Sequence, residues 1–428
     1  MMRLGAVADD VTGACDLAGR VVEAGLPASV LFGTAGDERL FPSDGDGCAV
    51  VALKIRTVPA VEAATQAATA ARRLLAADAS LLYQKYCSTF DSTPRGNIGP
   101  IADAMAEVAG GGSMARGMTS RAVTVGTPAT PASARTQYAG TLFADGVPLA
   151  ESPLRNHPLT PMRDSNVVRL LSPQTRADVS LVRWEDVQRG PEHVAGLVGE
   201  GHVLTDALTE RDLDTIAASV LRLAGERPVV AAGAAGVGTA LARVAVRGAG
   251  TLRPVRMPVV PVTGRLILAG SASAATRAQL DTFRGEKHLL DPFALAEGEA
   301  ELDRLRVILS ARRHDMLPAL VAVRGDVARA QSELGPERAA QVIEGAFSEL
   351  ANFAVHELGV SHLIVAGGET SGAVVTGLGI QRLLVGAQAA PGVPWTVGDS
   401  HGRSVALLLK SGNFGGTSLF NDAWETAP

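Results

Sequence analysis

Residues 5–25 read GAVADDVTGACDLAGRVVEAG. Gly5-Ala6-Val7-Ala8 is short and apolar and ends in the acid pair Asp9-Asp10. Such a run reads as a buried strand, and the segment from Asp10 onward as a turn followed by a helix. The alternation continues outward. SVLFG at 29–33 and CAVVAL at 48–53 read as buried strands, residues 61–77 (VEAATQAATAARRLLAA) as a helix, and LLYQKY at 81–86 as a strand. Strands alternating with helices imply βαβ units and a parallel sheet.

The texture changes over 119–172, where Pro128, Pro131, Pro148, Pro153, Pro158 and Pro161 crowd a stretch with few helical patterns. It reads as extended loops or an excursion over an active site. Regular alternation then resumes, with strands at 202–207 and 228–233 and helices at 210–225 and 236–246. Residues 251–264 (TLRPVRMPVVPVTG) carry Pro254, Pro258 and Pro261, a spacing that few helices or central strands accept. They read as a linker between a domain at 1–250 and a second at 265–428. In the second, strands are expected at RLIL, HLIVA and VALLL, and helices at 275–283 and 339–358. The expected fold is therefore α/β: two α/β domains with largely parallel sheets, facing across an active-site cleft.

Composition sets the bounds. The 428 residues suit two or three domains at roughly 100–200 each. With 46% apolar and 19% charged residues the chain can bury a large core, and 4% aromatics leave that core to Ala, Val and Leu. A net charge of −5 without a basic tract argues against nucleic acid as a partner. Cys15, Cys48 and Cys87 form no CxxC pair, which argues against a disulfide framework or structural zinc and fits a reducing compartment. The N-terminal apolar stretch is too short for a signal segment, and no run approaches the roughly 18 apolar residues of a membrane span. A cytoplasmic protein is expected, and a homo-oligomer is compatible with the sequence. Arginine carries nearly all the basic charge; the lysines are Lys54, Lys85, Lys287 and Lys410.

Five segments can carry chemistry. Asp9, Asp10 and Thr12 follow the first strand, at the carboxyl edge where open α/β sheets bind ligands. They can hold hydroxyls, water or a metal, although Asp10 or Thr12 can equally cap the next helix. Residues 86–99 (YCSTFDSTPRGNIG) crowd hydroxyls, one acid and one base into a loop before a helix. There Asp91 can accept a proton and Arg95 can take a carboxylate bidentately, with Ser92, Gly96 and Asn97 alongside. Lys54 and Arg56 follow the strand at 48–53 and suit an anion, or form a solvated pair. Ser271 lies in a Gly/Ser turn after a strand. Gly367, Gly368, Glu369, Thr370 and Ser371 form a second such turn, and Gly412 lies in a third glycine-rich loop. Free backbone N–H groups at such turns receive phosphate.

Several patterns are absent: GxxxxGK[ST], GxGxxG, HExxH and GxSxG. Residues 233–238 have the wrong glycine spacing for a dinucleotide fingerprint, and His356-Glu357 lacks a second histidine at the zinc-protease spacing.

Taken in order, ADDVTGA at 8–14, DSTPRGNIG at 91–99 and GGETSGAV at 367–374 resemble the signature segments of the four-carbon acid sugar kinases. Residues 127–149 are similar to that family's proline- and arginine-bearing excursion. The loop YCSTFDSTPRGNIGP and the tail ALLLKSGNFG are most similar to its 3-oxo-tetronate branch; other branches act on threonate or erythronate. The resemblance implies an N-terminal sugar-acid domain, a C-terminal nucleotide domain, and ATP-dependent phosphorylation of a C4 hydroxyl with Mg²⁺. It also implies that Ser271, the 367–371 turn and Gly412 hold ATP. On this reading Asp91 is the preferred base with Asp10 as runner-up, and Arg95 and Arg56 fix the substrate carboxylate. The segment ahead of the DST motif departs from the lysine-rich approach of many relatives, which leaves Lys85 without a role. A nicotinamide-dependent hydroxy-acid oxidoreductase would need the missing dinucleotide fingerprint. A non-catalytic sugar-acid sensor would need no second glycine-rich loop system.

Overall fold

The computed structural model describes residues 2–33, 40–42, 45–114, 122–156, 160–249, 257–312, 317–323, 325 and 327–428. The chain divides into two compact units, Met1–Val255 and Arg256–Pro428. Of the proline-rich stretch at 251–264, residues 257–264 form neither helix nor strand, and 251–256 lie outside the described residues.

The first unit contains β1 (Arg3–Ala8), β2 (Ala28–Phe32), β3 (Gly47–Ala52), β4 (Leu81–Lys85), β5 (Val123–Thr127), β6 (Arg135–Tyr138), β7 (Thr141–Ala144), β8 (Val147–Pro148), β9 (Val179–Val182), β10 (His202–Thr205) and β11 (Val229–Gly233). Its main sheet runs β2-β3-β1-β4-β11-β5-β10-β9 with every pairing parallel. β1, β3 and β4 are buried almost throughout, as strands covered on both faces must be. The helix Ala60–Ala76 turns Ala63, Ala67, Ala70, Ala71 and Leu74 inward, an apolar stripe at helical spacing. Gly5 lets that layer come close, since a Cβ there would lie 2.9 Å from Ala79 Cβ and 3.0 Å from Leu74 Cβ.

The proline-dense region corrects one expectation. It is not only loop: β5 lies inside the main sheet between β11 and β10, and β6, β7 and β8 form a small antiparallel sheet. β5 reads VTVGT and lacks a long apolar run, yet Thr124 is buried because its hydroxyl pairs with the His202 ring.

The second unit contains β12 (Arg265–Ala269), β13 (Lys287–Leu290), β14 (Ala319–Val323), β15 (His362–Ala366), β16 (Arg382–Ala390), β17 (Val393–Ser400) and β18 (Arg403–Lys410). The order β13-β14-β12-β15-β18 is parallel, and β17 and β16 extend it antiparallel. Both units are α/β with largely parallel sheets.

Candidate active site

In the first unit β1 lies between β3 and β4. The chain leaves β1 toward β2 and β3, then returns through β4 on the other side. Connections that diverge from neighbouring strands open a crevice at their carboxyl ends, where ligands of such sheets bind. Three segments end there: Asp9 and Asp10 after β1, residues 54–57 after β3, and the loop after β4.

Asp10 is the N-cap of the helix Val11–Glu23: its side chain accepts from Gly13 N–H at 2.7 Å, and Thr12 Oγ1 donates to it at 3.3 Å. Burial disfavours its charge, but Arg56, Lys85, the Gly13 N–H and the Thr12 hydroxyl outweigh burial, and the Asp10 carboxyl is held below the ordinary carboxylate range. Arg56 grips Asp9 with both arms, Nε to Oδ2 at 2.8 Å and Nη2 to Oδ1 at 2.9 Å. The same guanidinium reaches Asp10 at 3.1 Å and Asp91 at 3.4 Å. Three carboxylates thus converge on one arginine.

The loop after β4 aims Asp91. Phe90 is buried in the left-handed region at φ +50°, and its ring meets Tyr86 edge-on at 5.5 Å. A bulky residue holds that conformation only where its surroundings impose it. Asp91 accepts from the Thr160 hydroxyl as well as from Arg56. Ser92 is buried and accepts from Gln174 Nε2 at 3.0 Å; Gln174 also donates to Thr93 O and accepts from Gly99 N–H. Gly96 packs on Ser92 so closely that a Cβ would fall 1.7 Å from its Oγ. Asn97 Nδ2 donates to the carbonyls of Ile55, Arg56 and Val58 at 2.8, 3.2 and 2.7 Å.

The structure therefore brings Asp9, Asp10, Thr12, Arg56, Asp91, Ser92, Gly96 and Asn97 together, and leaves Lys54 and Arg95 exposed. It gives three of these residues partners within the chain. Arg56 is engaged by three carboxylates of its own chain. Asp10 is the cap of the helix Val11–Glu23, with its carboxyl held below the ordinary carboxylate range. Asn97 pins the Arg56 loop. Sequence reading passed over Thr160, which lies in the excursion, and Gln174, just beyond it; neither belongs to a motif. It also left Lys85 and Tyr86 without a role, although both line the pocket with Asp9, Arg56, Asp91, Ser92 and Asn97.

In the second unit the chain leaves β12 toward β14 and β13, then returns through β15 on the other side of β12. The Ser271 turn, the 367–371 turn and the loop after β18 leave the adjoining strands β12, β15 and β18. The helix Gly368–Gly377 begins at Gly367, whose φ is +123°, with no side-chain cap. Its first N–H groups are thereby left for an anion. Ser371 Oγ is buried in its first turn with no partner among the described residues, Thr370 is buried and Glu369 is exposed. The loops lock together: Ser273 Oγ and Thr276 Oγ1 donate to Gly412 O at 2.5 and 2.9 Å. A Cβ on Gly412 would fall 2.4 Å from Ser271 Oγ, and one on Gly270 would fall 2.1 Å from Thr370 Oγ1. Lys410 is buried, donates to Thr276 Oγ1 and Gly412 O, and is pushed by burial down to about 8.

Known proteins match this arrangement over the whole chain. A family model described as a sugar-binding N-terminal domain matches residues 4–241, and one described as a nucleotide-binding C-terminal domain matches 266–420. A Burkholderia multivorans protein named 3-oxo-tetronate kinase is 39% identical over 98% of this chain and 96% of its own. The chain belongs to the four-carbon acid sugar kinase family. Two solved structures share the family's architecture with it. One, from Salmonella typhimurium LT2, is 32% identical over the full length of both chains with a TM-score of 0.82. The other, from Haemophilus influenzae, is 33% identical over 98% of this chain and 99% of its own, with a TM-score of 0.75. Among the described residues no helix is long and apolar enough to cross a membrane.

Proposed function

We propose that the chain is a cytoplasmic ATP-dependent kinase that phosphorylates the C4 hydroxyl of 3-oxo-tetronate. The observation that carries this reading is near-full-length likeness, at 34–39% identity, to proteins named for that activity. The acid site belongs to the first unit and the nucleotide site to the second. The domain boundaries 1–250 and 265–428, with the stretch between as linker, remain part of this proposal.

In the reaction the C4 oxygen attacks the γ-phosphorus, the bond to the β–γ bridging oxygen breaks, and ADP leaves. Phosphoryl transfer asks for alignment and charge neutralisation more than covalent help. Asp91 accepts the hydroxyl proton; Arg56 and Thr160 fix its carboxylate, and Asp9 and Asp10 hold Arg56. Ser271, Gly367, Gly368, Glu369, Thr370, Ser371 and Gly412 receive the nucleotide through backbone N–H groups and hydroxyls. The described residues hold no group of three or more His, Cys, Asp or Glu suited to a metal ion. That donor set fits Mg²⁺ carried by nucleotide phosphate oxygens and water, where it would neutralise phosphate charge.

The test is ADP release with 3-oxo-tetronate, threonate, erythronate and hydroxy-acid controls, with the product followed by ³¹P NMR. One acid phosphate per ADP, fastest with the 3-oxo acid, is expected. No acid-dependent ADP release from any four-carbon acid would overturn the function, and a preference for threonate or erythronate would overturn the substrate.

A further inference from the structure

The sugar-acid pocket needs a cation for the substrate's carboxylate, and of the two arginines that sequence offers, Arg56 is already engaged and Arg95 is exposed. Arg56 contacts Asp9, Asp10 and Asp91. A fourth carboxylate beside it would meet three like charges. Arg95 is exposed on the loop, where water screens its charge.

Lys85 is placed differently. It ends β4 at the carboxyl edge, is 97% buried, and lines the pocket. Its ammonium carries three donors. Among the described residues it donates to one acceptor, Tyr86 O at 2.9 Å, and it forms no ion pair. Its Nζ stands 2.9 Å from where a Cβ on Gly13 would lie, so it sits against the first turn of the helix Val11–Glu23. It shares that neighbourhood with Asp10, whose carboxylate it helps keep ionised without bonding it directly. The pocket holds a second available donor: Tyr86 Oη is buried and has no partner among the described residues. A buried ammonium with unused donors is costly to keep unless a ligand completes it.

We propose that Lys85 holds the carboxylate of the sugar acid, and that Arg56 is a positioning residue for the aspartates. The inference rests on the function proposed above. The absence of a side chain at Gly13 gives the Lys85 ammonium its place, since a Cβ there would lie 2.9 Å from Nζ.

The experiment compares the four-carbon acid with its neutral amide on the full-length chain. Binding is measured by calorimetry without ATP, and turnover with it. Wild type should prefer the acid by roughly 10- to 100-fold, the range of a hydrogen bond to a charged group. Lys85→Met should abolish that preference by weakening the acid alone, with the KM for ATP unchanged. Lys85→Gln, which keeps length and a polar head, serves if the first variant does not fold. Arg95→Ala should retain the preference. Equal weakening of acid and amide would assign Lys85 a structural role and overturn the proposal, as would loss of the preference in Arg95→Ala with retention in the Lys85 variants. If wild type neither binds nor phosphorylates any four-carbon acid, the proposed function fails first and Lys85 with it; if wild type works and the Lys85 variants keep the preference, only the Lys85 assignment fails.

Discussion

Asp91 owes its position to its neighbours. Phe90 turns the chain through a left-handed residue, Thr160 donates to one carboxylate oxygen, and Arg56 faces the other. If it is the base, Asp91→Asn should lower kcat by roughly 10²–10⁴-fold with a modest change in KM, checked by steady-state kinetics. A near-normal kcat would make Asp91 structural. Lys410 makes a second residue-scale prediction. Burial lowers its ammonium from 10.5 to about 8 in the fold. Between those values the unfolded chain binds more protons than the native one, so this group's contribution to stability rises with pH through that window. Below about 8 its charged form costs the fold about 3 kcal/mol. Lys410→Met should therefore gain most over wild type near pH 7, and the gain should shrink toward pH 10. Urea unfolding at the two pH values checks this, and a pH-independent difference would contradict it. Residue identity alone could single out Asp9, Asp91 and Arg56 as chemically able, but not that the arginine is held by its own carboxylates. That depends on β1, β3 and β4 being neighbours, a pairing with no local signal in the chain.

At the scale of elements, both sites use one device. Each lies where the chain leaves a strand in one direction and returns beside it from the other, at β1 and β4 in the first unit and at β12 and β15 in the second. The strands carrying the sites were legible because buried parallel strands read as short apolar runs ending in polar turns. β5 was not, because its threonines and Gly126 break that run and prolines follow closely. Gln174 and Thr160 were hidden for another reason: they work through distant backbone and side-chain partners, which spacing does not encode. The glycines make the element-scale predictions. In Gly412→Ala the new Cβ would collide with Ser271 Oγ, so nucleotide affinity should fall by about tenfold or more while sugar-acid affinity holds. Gly96→Ala meets Ser92 Oγ and should do the reverse. Calorimetric titration of each variant with each ligand checks both; an unchanged nucleotide affinity in folded Gly412→Ala would remove that loop from the site.

At the scale of the molecule, the chain divides into a unit ending at Val255 and one beginning at Arg256, and the two family models fall on either side of that division. On the proposed function the first unit takes the sugar acid and the second takes the nucleotide. Hydrogen exchange on the full-length chain, with each ligand added alone, tests it most directly. A non-hydrolysable ATP analogue should slow exchange at 270–273, 367–372 and 411–416, and the sugar acid should slow it at 9–13, 54–58 and 86–99. Nucleotide protection that falls on the 9–13 and 86–99 segments, with 367–372 unprotected, would contradict the account.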